Sequence, residues 1–151
     1  MSEPRLYDFS LIKFSDMEVV PTFTTLCGLT NVAVNEAVET QDRRVRDCAK
    51  PNKPGVRRIK TVGINWTITG SGRTNADQRA TIKTDLLGKH VDYKVEHYRD
   101  DGTDAGVLVG TDAGTAVMTA NNMTTDPDAG TSDLEITLEG EGDLVYTAAG
   151  S

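Results

Sequence analysis

Ile64-Asn65-Trp66-Thr67-Ile68-Thr69-Gly70-Ser71-Gly72 and Leu134-Glu135-Ile136-Thr137-Leu138-Glu139-Gly140-Glu141-Gly142 share one nine-position pattern: apolar, polar, apolar, Thr, apolar, polar, Gly, polar, Gly. Alternation with a period of two is the mark of a strand with one packed face and one wet face. The glycines after it let the strand bend or end where a Cβ would be in the way. Two stretches with the same punctuation predict two strands with equivalent places in one sheet. Their polar faces carry no catalytic residue type other than carboxylates, so the repeat points to the building of a surface.

The same alternation extends outward. Arg57 to Gly70 is the longest strand candidate, with Val62, Ile64, Trp66 and Ile68 on its apolar face. Glu18 to Leu26, demoted by Pro21 to an edge or the start of a strand, Thr30 to Val38, His90 to Arg99, Val107 to Val109, Ala116 to Ala120 and Asp133 to about Thr147 supply further strands. One helix is expected at about 74–87, capped by Thr74 or Asn75, with Asp77 in its first turn and Gly88 just past its end. Ala76, Ala80, Ile82, Leu86 and Leu87 form its apolar stripe. Residues 1–16 read as an arm with weak structure of its own. Asp126 to Gly130 reads as a turn. The expectation is a mainly β domain over 17–151, a β-sandwich or half-open barrel with one flanking helix.

Charge divides the chain. Residues 1–99 hold all 16 basic side chains against 12 acidic ones, a net of +4, while residues 100–151 hold 11 acidic ones and no basic one. Within residues 42–60 there are eight basic residues and two acidic ones, broken by Pro51, Pro54 and Gly55, which predicts a long basic loop at about 40–58. A basic block and an acidic third in one chain fit self-association in which unlike surfaces meet. The block has no aromatic residue for base stacking, which favours a protein contact over a nucleic-acid one.

Catalysis has little to work with. His90 and His97 lie seven apart on one expected strand, so they face opposite ways and read as surface histidines. Gly70-Ser71-Gly72 lacks the context of a nucleophile elbow, and its surroundings lack the Gly-Lys-Ser/Thr of a phosphate loop. The Asp-rich turns at 100–106 and 126–130 lack the spacing of an EF-hand. Cys27 and Cys48 form no CxxC or Cys/His cluster and read as two reduced thiols. The expectation is no enzyme, no cofactor and no metal. No apolar run approaches the roughly 20 residues of a bilayer span, and the N-terminus lacks the apolar core of a signal peptide, so a cytoplasmic origin is expected.

Taken in order, INWTITGSG, TNADQRATIKTDLLG, HVDYKVEHY, DDGTDAG and LEITLEGEGDLVYTAAG, with AVETQDRRVRDC ahead of them, resemble the tail tube (major tail) proteins of long-tailed bacteriophages and gene transfer agents over about residues 20–148. The resemblance implies a β-sandwich with a flanking helix, hexameric rings, and head-to-tail stacking into a hollow tube of the virion tail. Assembly would take place in the host cytoplasm, with no membrane. A tape measure protein and the tail terminator and distal tail proteins would be partners, and DNA would pass without being held. On that reading Arg43, Arg44, Arg46, Lys50, Lys53, Arg57 and Arg58 form the inter-ring contact, and Glu135, Glu139 and Glu141 line the lumen. The alternatives are another ring protein of the tail, a terminator or distal component, and a monomeric β-sandwich binding module.

Overall fold

A computed structural model describes residues 7–16, 21–128 and 131–149. It contains seven strands in one sheet: β1 (Phe9–Ser15), β2 (Phe23–Thr25), β3 (Leu29–Val45), β4 (Val56–Arg73), β5 (His90–Arg99), β6 (Val107–Asp126) and β7 (Thr131–Ala148). Their order across the sheet is β2-β1-β5-β6-β7-β4-β3. The chain forms two compact units, one from the residues up to Asn35 and from Trp66 onward, the other from Glu36–Asn65.

The two nine-residue stretches are direct antiparallel neighbours. Thr67 pairs with Glu139, Ile68 with Leu138, Thr69 with Thr137, Gly70 with Ile136 and Gly72 with Leu134, so the shared pattern runs along both strands in opposite directions. Matched alternation puts apolar opposite apolar on one face and polar opposite polar on the other. Trp66, Ile68, Leu134, Ile136 and Leu138 are buried accordingly, and each fully buried aliphatic of this kind contributes about 1.5–3 kcal/mol.

The first unit is curled. A Cβ on Gly70 of β4 would lie 3.1 Å from the Ile12 side chain of β1, although four sheet positions separate these strands. The two edge strands, β2 and β3, are joined by Leu26–Gly28 alone, a reach of about 14 Å for four Cα steps. The sheet therefore nearly closes on itself, and the half-open barrel is the architecture found. Irregularities in the β6–β7 register at Ala113/Thr115 and Met118/Ala120 supply the bend.

The helix is found where expected but in two parts. Helix α1 (Ala76–Thr81) starts at Asn75, whose side chain accepts from the Gln78 amide at 2.8 Å. It widens into a π-helical turn over Ile82–Leu86, closed by the Leu87 amide on the Ile82 carbonyl at 2.8 Å. Gly88, at φ +74°, ends it and donates to Met118 of β6. Of the five residues of its expected stripe, Ile82 and Leu86 enter the core, while Ala76, Ala80 and Leu87 are exposed. The widened turn is too short to present a longer stripe. No helix among the described residues is long and apolar enough to cross a membrane.

Three segments differ from their expected form. Phe9–Ser15, within the expected arm, is strand β1, paired with both β2 and β5 and burying Ile12. The two short strands expected at 107–109 and 116–120 are one 20-residue strand, β6. The basic stretch expected as a loop at 40–58 has strand at both ends: β3 runs to Val45 and β4 begins at Val56, so the connecting loop is the shorter stretch 46–55. The turn expected at 126–130 does join β6 to β7, which pair as far as Asp126 and Thr131; its residues 129 and 130 lie outside the described ones, as do residues 18–20 of the first expected strand.

Candidate functional site

The second unit, Glu36–Asn65, is a β-hairpin that carries half of the chain's 16 basic residues. Arg43, Arg44, Arg46, Lys50, Lys53, Arg57 and Arg58 are all exposed. One ion pair crosses it, Arg57 to Asp42 at 2.7 Å, and Arg44 donates to the Gly55 carbonyl at 3.4 Å. Its connection is shaped by Asp47, whose carboxylate accepts from the Ala49 amide at 2.9 Å. With one carboxylate engaged by Arg57, the excess positive charge faces solvent. The hairpin is also apolar on its surface: Val62 and Ile64, expected on a packed face with Trp66 and Ile68, are 56% and 58% exposed. Val38, Val56 and Ile59 are similarly open. Parity identifies the apolar face correctly; what covers it is not supplied by the hairpin itself.

In the first unit, Glu135 and Glu139 lie on the polar face of β7, exposed between buried Leu134, Ile136 and Leu138. Glu135 sits between Ser71 of β4 and Asn122 of β6, and Glu139 between Thr67 and Val117. An open groove of about 330 Å³ runs there, lined by Thr30, Asn31, Ser71, Asn122, Asp133 and Glu135 among others. Glu141 lies past the Gly140 bend and meets His90 at 2.6 Å. The three carboxylates thus share one strand, but Glu141 differs in having an imidazole partner.

Further along this face, Glu96 of β5 accepts from the Tyr98 hydroxyl and pairs with Lys13 of β1 at 3.1 Å. Burial pushes the Glu96 carboxyl up, yet the Tyr98 and Lys13 hydrogen bonds and the Lys13 and Lys94 charges outweigh it and hold it below its ordinary range. Burial, followed by the Glu96 bond and charge, pushes the Tyr98 phenol up to about 12, so it remains a donor throughout the neutral range. A folded-state pKa below the unfolded one stabilises the protein above the unfolded value, near 4.3 for Glu, and that contribution is lost as pH falls through the folded value. Glu96→Gln is therefore expected to cost about 1 kcal/mol at neutral pH. The gap from wild type should close in acid, and urea titrations at pH 7 and pH 3 check it: equal differences at both would refute the assignment.

The two histidines do face opposite ways, but only His90 is a surface residue. His97 is 8% exposed and lies between two partners: Ser10 of β1 at 2.7 Å from Nδ1 and Asp112 of β6 at 2.8 Å from Nε2. Both ring nitrogens are thereby engaged, Nδ1 by the Ser10 hydroxyl and Nε2 by the Asp112 carboxyl. Sequence spacing gave no hint of this row, since its members are far apart in the chain. The groups follow the order of a nucleophilic triad, but the Tyr7 ring lies stacked on the imidazole at 4.6 Å, and the buried His97 and Asp112, with the half-buried Ser10, satisfy one another and need no further role. Cys27 and Cys48 are both free and exposed. Among the described residues no group of His, Cys, Asp and Glu is placed to hold a metal ion.

No protein-family model matches the chain, and no curated protein matches it. Solved structures do. A chain from the tail of an empty gene transfer agent particle, refined with C6 symmetry, is 23% identical, with 91% of this chain and 95% of that one covered at a TM-score of 0.63. A chain of the six-fold symmetrised anti-feeding prophage baseplate is 13% identical, with 98% of each chain covered at a TM-score of 0.67. The SPP1 tail tube chain is 11% identical, with 97% and 80% covered at 0.59. This chain therefore has, over nearly its whole length, the fold found in phage and phage-like tail assemblies.

Proposed function

We propose that this protein is a structural, non-enzymatic virion component that forms hexameric rings stacked head to tail into the tail tube through which DNA is delivered. The observation that carries the proposal is the fold likeness, end to end, to chains from tails of six-fold symmetry. The two surfaces support it. A stacked ring makes heterologous contacts, so its two faces can be unlike and the assembly can stay open. In this reading the hairpin, with Arg43, Arg44, Arg46, Lys50, Lys53, Arg57 and Arg58, contacts the neighbouring ring, and its exposed Val62 and Ile64 gain cover there. Glu135, Glu139 and Glu141 face the lumen, where carboxylates repel phosphates and keep the passage from holding DNA. Tape measure, terminator and distal tail proteins are the partners of such a tube. A ring at one end of the tail is the second reading, favoured by the likeness to a baseplate chain.

The test is charge reversal in the hairpin. Arg43→Glu, Arg44→Glu and Arg46→Glu together should leave the circular dichroism of the subunit unchanged while weakening stacking about 100-fold or more, since a like-charge contact costs several kcal/mol. Electron microscopy should show rings and few tubes. High salt should weaken wild-type stacking in the same direction. Tubes of normal length from the triple variant would remove the hairpin from the ring–ring contact.

A further inference from the structure

At one end of the first unit, a polar row crosses the strands. Ser10 pairs with His97 across β1 and β5, and Asp112 pairs with Tyr146 across β6 and β7. Tyr7, just ahead of β1, stacks on His97 with an interplanar angle of 11°, and its hydroxyl lies 2.9 Å from the hydroxyl of Tyr146. Tyr146 fits because Gly110 has no side chain: a Cβ there would lie 2.1 Å from the Tyr146 oxygen. Both phenols are therefore pinned, and both are open to solvent, Tyr7 at 52% and Tyr146 at 49%.

We propose that Tyr7 and Tyr146 are an oxidative cross-linking site, joined as an intramolecular dityrosine. The chemistry needs two one-electron oxidations, which a haem peroxidase with hydrogen peroxide supplies. Each phenol loses one electron and one proton, the two phenoxyl radicals form a carbon–carbon bond between ring positions ortho to oxygen, and the ortho hydrogens move to the oxygens as the rings become aromatic again. The net change is loss of two hydrogen atoms, which reduce one peroxide to two waters. The product is an ortho,ortho′-biphenol whose hydroxyls remain hydrogen-bonded to each other, so the contact already present is one the product retains. The two residues are 139 positions apart, and their bond would tie the chain ahead of β1 to the end of β7 in one covalent loop.

The other two tyrosines are poorly placed. Tyr93 is buried, and Tyr98 is held by Glu96 and stacked on Phe9 at 5.2 Å. The experiment treats the purified full chain with horseradish-type peroxidase and hydrogen peroxide and maps the tryptic peptides by mass. A millimolar effective concentration against micromolar protein should make the Tyr7–Tyr146 link exceed intermolecular links by on the order of 100-fold. The linked peptide should have lost two hydrogens, fluoresce as dityrosine, and accompany a raised unfolding temperature. Tyr98→Phe should keep the link; Tyr7→Phe and Tyr146→Phe should each abolish it. Wild-type or Y98F protein that gives no such peptide, or gives intermolecular or Tyr98-containing links in comparable yield, would overturn the proposal, and that result needs neither of the other variants to fold.

Discussion

Gly140→Val is expected to be among the most damaging single changes in this protein, more so than its half-buried setting on a bend suggests. A Cβ at position 140 would lie 2.0 Å from Cε2 of Trp66, a rigid indole that is itself 3% exposed. The ring has little room to give way: it also lies against Gly114, where an added Cβ would come within 2.7 Å of it, and its Nε1 donates to the Gly142 carbonyl at 3.0 Å. Overpacking alone costs about 1–3 kcal/mol, and expelling the indole approaches the ~3–5 kcal/mol of a Trp→Ala change. Against a total of about 5–15 kcal/mol this is a large share, worth roughly 6–20 °C of melting temperature for a chain of this size. Trp66→Ala should fall in the same range. As the chain has one tryptophan, its fluorescence reports this place directly. Gly140→Val with wild-type emission and melting temperature would show that the bend is not built on the indole.

That contact explains why the repeat could be read from the sequence. The first stretch supplies the tryptophan and the second supplies the glycine it needs, on strands that pair in register. Period-two alternation is local information, and it placed β4, β5 and β7 closely. The flanking helix was legible from its cap and its glycine stop, although its π-helical turn was not, since the i to i+5 bond leaves no mark in residue type. Strand β1 is not legible locally, because Pro4 and scattered charges mask a short strand whose support comes from β5, some 80 residues later. Alternation along 107–126 was broken by the two register shifts, which hid a single strand as two.

The surfaces were legible in a different degree. The basic residues and the carboxylates are as exposed as their types demand. The hairpin form of 40–58 is not legible in the sequence, because prolines and glycine in its connection outweigh the strand residues on either side. Val62 and Ile64 show the limit most plainly: the pattern says which residues share a face, while burial depends on whatever packs there. His97 shows the reverse, a polar residue buried because Ser10 and Asp112, distant in sequence, satisfy both nitrogens.

Charge reversal on β7 separates the lumen from every other placement of the acidic face. Glu135 and Glu139 are exposed and flanked by Ser71, Asn122 and Thr67, so glutamine at both should leave stability within about 0.5 kcal/mol of wild type. Lysine at both should also fold, as neither side chain enters the core. In a six-fold ring, however, the change recurs at every subunit and every level of the tube. DNA carries a negative charge every ~1.7 Å of duplex, and neutralising phosphates with lysine releases counterions and binds the duplex. Single contacts of about 1 kcal/mol in water then add along the tube into a drag on a molecule that must slide. Particles carrying Glu135→Lys and Glu139→Lys should therefore assemble normally yet deliver DNA at least tenfold less well, with the defect relieved as salt is raised. Normal assembly with normal delivery would put this face on the outside of the tube; failed assembly with intact subunits would place it in a ring contact, because only there does the sign of these two charges decide whether neighbouring copies attract.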